Sequence, residues 1–208
     1  MYVRLVYILF LILSFQLQAQ KLIEKSIDAK VINTLIIDGN TVFRINIEAL
    51  NTDVILAKTR SEGEYGEHNI LATKVKNDTL FISSKLQPFF RDSNNKSTAH
   101  KIIATDLDLI VPKDLSLYIK SDIATTNLQG AYKDVTIELI NGNCILKSFL
   151  GNAIINTIHG YVEVQTQDAK IEAYTKNGNI TSIDFPLNKF ILKLNSINGD
   201  IRVTKTEK

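Results

Sequence analysis

The sequence predicts an all-β protein: a single-stranded β-solenoid of short rungs preceded by an N-terminal β-hairpin region. Three observations predict it. A polar residue followed by Gly recurs at Asn141-Gly142, His159-Gly160, Asn177-Gly178 and Asn198-Gly199, so the glycines are spaced by 18, 18 and 21 residues. Apolar residues then repeat in fixed columns around each Gly: Val135, Ala153, Ile171 and Leu192 seven before it, Ile137, Ile155, Ala173 and Leu194 five before it. Cys144, Val162, Ile180 and Ile201 stand two after, and Leu146, Val164, Ser182 and Val203 four after. Third, Thr, Ile, Val and Asn are frequent and Pro occurs only three times, a composition of strands and turns. A rung that cannot bury its inner face alone is stabilised by stacking on similar rungs. About 18 residues at roughly 3.3 Å each suggest three short faces per rung, with Gly supplying positive φ at the corner. An antiparallel sandwich or barrel with turns at similar spacing is the competing architecture. The runs are too short and too poor in aromatics for a membrane β-barrel.

Residues 1–19 read as a secretory signal peptide: Arg4, then the apolar run Leu5–Phe15, then Gln16-Leu17-Gln18-Ala19 with cleavage expected after Ala19. An uncleaved anchor would need roughly 20 apolar residues, more than this run supplies. No Cys lies near the cleavage point to carry a lipid. Residues 20–208 then form a single domain, with regular coils from about 115.

Lys21–Lys30 is a linker or first strand. Val31–Ile37 is apolar and β-branched, and Asp38-Gly39-Asn40 is a turn. Val42–Ile47 alternates with period two, and Asp53–Lys58 is a further strand before the polar loop Ser61–Glu67. His68–Lys76 and Thr79–Lys85 form a hairpin about Asn77-Asp78. Leu86–Lys101 is the longest segment without strand character. Lys101–Val111 alternates again, ended by Pro112. Leu115–Gly130 is a weaker first coil, with Leu117 and Ile119 in the inner columns and Ala124 where the corner Gly would stand. The longer last step carries the insertion Phe185-Pro186-Leu187.

The formal charge of +2 includes Arg4, so the mature chain stands near +1, which gives no electrostatic case for nucleic acid or an anionic membrane. A lone cysteine, Cys144, excludes an internal disulfide and reads as a small buried hydrophobe. Trp is absent, so no aromatic-lined sugar cleft is indicated. Asp106 and Asp108 share a strand face; paired carboxylates suit Ca²⁺ or glycoside chemistry, but without a third oxygen ligand a solvated face is the better reading. Glu62, Glu64, Glu67 and His68 cluster without zinc-site spacing. His159 reads as a turn residue in the Asn column, and His100 ends the polar loop. These residues make no nucleophile–base pair, and no nucleophile elbow or phosphate loop is present. Asn141, Asn177 and Asn198 are expected to stack along the corner. Phe89-Phe90-Arg91, two aromatics beside a cation in a polar loop, is the candidate partner contact; the alternative is that it covers an open end of the stack.

The order of features carries a family resemblance: the Asp38-Gly39 turn, INIEALNTDVILAK, the VKNDTLFIS hairpin, LDLIVPKDLSLYIKS, then the Gly-punctuated coils. This order resembles the family of bacterial envelope β-strand-repeat proteins named putative adhesins, of the DUF4097 type and close to the auto-transporter adhesin head region. The resemblance spans roughly Leu35 to Val203. Ala124 and the polar Phe89–Thr98 loop depart from the pattern. It implies a β-solenoid, export and a non-enzymatic envelope role, and brings no catalytic residues. The expected function is therefore an exported adhesin-like binding or structural protein, in the periplasm or at the cell surface. It needs no cofactor or metal and would engage an envelope or extracellular protein or glycan. Neither nucleic acid nor stable membrane insertion after signal cleavage is expected. A polysaccharide-processing β-helix enzyme is the alternative and would need acids and bases converging in a groove. A third expectation is self-stacking through an exposed last rung, with Thr204–Lys208 as a charged guard.

Overall fold

The computed structural model describes residues 21–63, 68–87 and 104–206. Period-two alternation of apolar and polar residues, interrupted by turn residues, makes fifteen strands and no α-helix among them. In order they are β1 (Lys21–Asp28), β2 (Thr34–Asp38), β3 (Arg44–Leu50), β4 (Val54–Glu62), β5 (Asn69–Lys76), β6 (Thr79–Leu86), β7 (Ala104–Pro112) and β8 (Ser116–Ser121). They continue as β9 (Thr125–Leu139), β10 (Cys144–Thr157), β11 (Val162–Thr166), β12 (Ala169–Thr175), β13 (Ile180–Thr181), β14 (Phe190–Ser196) and β15 (Ile201–Lys205). The β5–β6 hairpin forms about Asn77, whose φ of 54° is the left-handed conformation Asn tolerates.

One mixed hydrogen-bonded network holds all fifteen strands, and it is open-ended. The first branch runs β1-β4-β7-β3-β9-β10-β11-β15-β13 and the second β5-β6-β2-β8-β9-β10-β14-β12. The long strands β9 and β10 belong to both, their first halves to one branch and their second halves to the other. Pairing is parallel except for β1–β4, β4–β7 and β5–β6, which lie at one end. Between the halves of β10 the ladder slips twice, near Lys147–Leu150 and Leu150–Asn152. This bulged bend is too irregular for a third ladder, so pairing falls into two branches rather than the three faces expected.

The predicted columns are the observed ladders. Val135 pairs with Ala153 and Ala153 with Leu192; Cys144 pairs with Val162 and Val162 with Ile201. Leu117 and Ile119 pair with Val135 and Ile137, so the weaker first repeat joins the same parallel ladder. Both branches turn these side chains into one shared core, where Leu35, Ile45, Ile137, Cys144, Leu146 and Leu194 are fully buried. At the bend Tyr132 stacks on Phe149 with ring centroids 5.9 Å apart, and its hydroxyl reaches the carbonyls of Ile47 and Gln129 at 3.1 Å. Thr34–Asp38 is narrower than the expected Val31–Ile37, and β4 extends through Glu62, beyond the expected Lys58.

Two expectations are corrected. The rungs do not stack in chain order. Leu192 sits between Ala153 and Ile171, and Ile201 between Val162 and Ile180. The last strand–corner–strand unit, β14–β15, is thus inserted between its two predecessors, and β12–β13 forms the terminal rung. The C-terminal strand is therefore no edge guard. The insertion around Phe185 is the crossover that steps the chain back by one rung, and Phe185 itself is buried in the core.

The corner glycines, moreover, do not have positive φ. Among glycines that conformation occurs at Gly63, and at Gly130 and Gly151 in the opposite bend. The corner needs Gly for another reason: a Cβ on Gly142 would lie 2.0 Å from the Ala124 carbonyl oxygen. On Gly160 it would lie 1.9 Å from that of Gly142, on Gly199 1.9 Å from that of Gly160, and on Gly178 2.3 Å from that of Gly199. At these four corners each pass of the chain runs so close to its neighbour that hydrogen is the largest substituent accepted, whereas the first corner holds Ala124.

Candidate functional site

The corner is built by a signal the period-two columns do not reveal. Three residues before three of the four corner glycines stands a hydroxyl: Thr157, Thr175 and Ser196, with Ser121 three before Ala124. Each hydroxyl donates across the rungs, Ser121 to the Gly39 carbonyl (2.8 Å), Thr157 to Gly142 (3.1 Å), Ser196 to Gly160 (2.9 Å) and Thr175 to Gly199 (2.9 Å). Three of them also accept the N–H three residues on, as in a side-chain turn: Ala124, Gly178 and Gly199. A buried hydroxyl satisfied on both sides costs nothing in desolvation and sets the bend angle rung after rung. Ser or Thr three before the corner was visible in the sequence; Leu139 before Gly142 and Ile36 before Gly39 depart from it.

The bend puts two outward columns on either side of a groove of about 470 Å³ that runs along the stacking direction. The column nearer the corner reads Asp122, Ile140, Ile158, Ile197 and Lys176 in spatial order, held by the backbone bonds of Ile140 to Ser121, Ile158 to Leu139, Ile197 to Thr157 and Lys176 to Ser196. The three isoleucines are 37–42% exposed and form a continuous apolar strip with a carboxylate at one end and an ammonium at the other. Rungs repeat about every 4.8 Å, so the strip is roughly 10 Å long between its outer members. The facing column is Lys120, Glu138, Asn156, Asn195 and Tyr174. Here Asn195 donates to Asn156 at 2.9 Å, and the Tyr118 hydroxyl donates to Glu138 at 2.8 Å, which raises the tyrosine's pKa. Tyr174 is 63% exposed and stands at the open end.

The Asn expectation holds in part: Asn177 donates to Asn198 at 2.6 Å, and Asn198 contacts His159 Nδ1 at 2.9 Å, so His159 does occupy the Asn column. Asp106 and Asp108 face outward as expected, Asp106 paired with Arg44 at 3.5 Å and Asp108 accepting from Asn46 at 2.6 Å. Asn46 in turn accepts from Asn127, so these carboxylates belong to a polar ladder on the first branch. Cys144 is fully buried, and burial pushes its thiol pKa up, away from reactivity. Among the described residues no three of His, Cys, Asp and Glu gather around a common point. Phe89, Phe90, Arg91, His100, Glu64 and Glu67 lie outside the described residues, as does the expected signal peptide.

No protein-family model matches the chain, and no curated protein matches it. Solved structures do. A protein described as a putative cell adhesion protein from Clostridium sporogenes matches 91% of this chain and 100% of its own, at 15% identity and a TM-score of 0.62. A putative adhesin from Bacteroides fragilis matches 90% and 99% at 14% identity with a TM-score of 0.38, and a putative lipid binding protein from Parabacteroides distasonis 88% and 97% at 14% with 0.43. The chain shares its all-β fold with the Clostridium sporogenes protein.

Proposed function

We propose that this chain is an exported, non-enzymatic β-solenoid of the bacterial cell envelope whose work is adhesin-like binding, through the groove beside the Asn-Gly corner. The observation that carries this reading is the strip of Ile140, Ile158 and Ile197, left exposed on a rigid ladder and faced by amides, a carboxylate and Tyr174. A row of apolar side chains, each more than a third exposed, offers a surface suited to contact with something else. The parallel stack supports the solenoid reading, and the fold shared with a protein described as a putative cell adhesion protein accords with the role. An elongated partner, an extended peptide or a glycan chain lying along the stacking direction, suits a groove that runs across the strands.

The test is binding of the purified protein to arrays of glycans and of extracellular and envelope proteins. Ile158→Asp serves as the groove variant because Ile158 is central in the strip and already partly solvated. The expected result is at least a tenfold loss of affinity, equivalent to about 1.4 kcal/mol, with an unchanged melting temperature. Binding that is indifferent to Ile158→Asp removes the groove from the function. Turnover of any polysaccharide on the array would replace the binding reading with an enzymatic one.

A further inference from the structure

The two ends of the stack are finished differently. At one end the branches stop at β1 and β5, both in antiparallel pairs. Lys21 and Lys25 reach across from β1 to β5, donating to the carbonyls of Asn69 at 2.9 Å and Leu71 at 2.6 Å, and Lys25 also to the Thr73 hydroxyl at 3.3 Å. These lysines tie the two edges together and occupy carbonyls of β5, a recognised way of blunting a sheet edge. At the other end β12 pairs only with β14 and β13 only with β15 among the described residues. There the core columns reach the surface: Ile180 is 46% exposed, whereas Cys144, Val162 and Ile201 in the same ladder are 0–1% exposed.

We propose that this end closes on the same end of a second copy, β12 pairing antiparallel with β12 across a two-fold axis through Ile171. Side chains opposite one another across a sheet must share a face, so the axis has to pass through a residue, not between two. Outward on β12 stand Lys170, Glu172 and Tyr174; Ala169, Ile171 and Ala173 turn toward the core. An axis through Lys170 or Glu172 would set like charges against each other, and one through Ala173 would set Glu172 against tyrosine. An axis through Ile171 places Lys170 opposite the partner's Glu172 and Glu172 opposite the partner's Lys170, with Ile171 meeting the partner's Ile171. The Lys170–Glu172 pair, already joined at 2.8 Å within the strand, presents both charges on the outward face of the edge strand. Opposite charges directly across a sheet stabilise pairing, and like charges oppose it. The strand edge supplies backbone bonds and the charge pair sets the register, so the partner with the matching pattern is this chain itself. The inference does not depend on the groove: Ile158 lies two rungs from the edge.

Charge reversal tests it. In sedimentation equilibrium the protein is expected to form dimers as concentration rises. Lys170→Glu and Glu172→Lys each set like charges opposite one another and should weaken the dimer at least about tenfold. The double swap Lys170→Glu/Glu172→Lys restores opposite pairs and should restore affinity. The even-numbered amides of β12 face β14, so hydrogen exchange at the edge-facing amides of Ile171 and Ala173 should slow with protein concentration in the wild type and in the double variant only. A monomer at every concentration, protection of the Ile171 and Ala173 amides that does not depend on concentration, or a dimer unmoved by the single reversals would each overturn the proposal. So would an open polymer in place of a closed dimer.

Discussion

Gly160→Ala separates a steric corner from a conformational one. If the corner Gly merely relaxed a turn, Ala would be tolerated or stabilising by about 0.4–1 kcal/mol, because it restricts the unfolded chain and φ here is not positive. The structure predicts the opposite sign. The new methyl would stand 1.9 Å from the Gly142 oxygen, where ordinary contact begins at 3.4 Å, so the two rungs must separate locally by about 1.5 Å. Bonds that cannot survive such a shift include Thr157 Oγ1 to Gly142 O at 3.1 Å and His159 N to Ile140 O at 2.8 Å. Two such bonds at about 1 kcal/mol each, plus about 2 kcal/mol of overpacking, less the unfolded-state gain, leave a net loss of about 3 kcal/mol. For a chain of this size that lowers the melting temperature by roughly 6–12 °C. Gly39→Ala is the internal control. It lies at the same corner, but its Cβ would meet side-chain atoms, Ile45 Cδ1 at 2.7 Å and Ser121 Cβ at 3.2 Å, with the nearest backbone oxygen 3.4 Å away, so its cost should be smaller, about 1–2 kcal/mol. Urea unfolding curves of the three proteins decide the matter. Gly160→Ala within 0.5 kcal/mol of wild type, or no costlier than Gly39→Ala, would refute the steric account.

Two further predictions concern the core. Ending the chain at Lys189 removes β14 and β15, the only strand partners of β12 and β13 among the described residues. Both that rung and the wall formed by Ala153, Ile155, Val162 and Val164 lose their cover, so the truncated chain should lose cooperative unfolding in a thermal melt. A truncated protein melting within a few degrees of the full chain would show that rung 169–181 does not need the inserted one. Stability should also fall in alkali. Burial raises the pKa of both Cys144 and Tyr132, so the folded state keeps protons that the unfolded chain releases above the ordinary values of 9.0 and 10.0. The associated stability is complete below those values and declines above them, by about 1.36 kcal/mol per pH unit for each group. Urea midpoints from pH 7 to 11 should show the decline beginning near pH 9 in wild type and about one unit later in Cys144→Ala. Coincident profiles would rule out a buried, protonated Cys144.

Much of the architecture was legible in the residues. Columns such as Val135, Ala153, Ile171 and Leu192 share one phase about their corners, and a parallel ladder requires residues of equal phase to pair, so the register is written in the sequence. The hairpin about Asn77-Asp78, the buried Cys144 and the outward Asp106 and Asp108 followed from local chemistry in the same way. The groove was less legible. Ile140, Ile158 and Ile197 stand at a polar phase of the repeat, and their meaning depends on the bend set by Ser121, Thr157 and Ser196, whose bonds run to residues 15 to 82 positions away.

The sequence by itself determined the phase of each strand, because burial alternates along the chain and hydroxyl, Asn and Gly recur at fixed offsets from each corner. Only the tertiary structure decided which rung lies beside which. All rungs of one phase offer equivalent backbone bonds, so periodicity cannot rank neighbours, and the extra residues around Phe185 were long enough to carry the chain back and seat β14 and β15 inside the stack. The same contact between rungs decided why the corners are glycine. Left-handed backbone was available to any such turn, but the Gly142 carbonyl lying 1.9 Å from where a Gly160 methyl would stand exists only once the rungs have stacked.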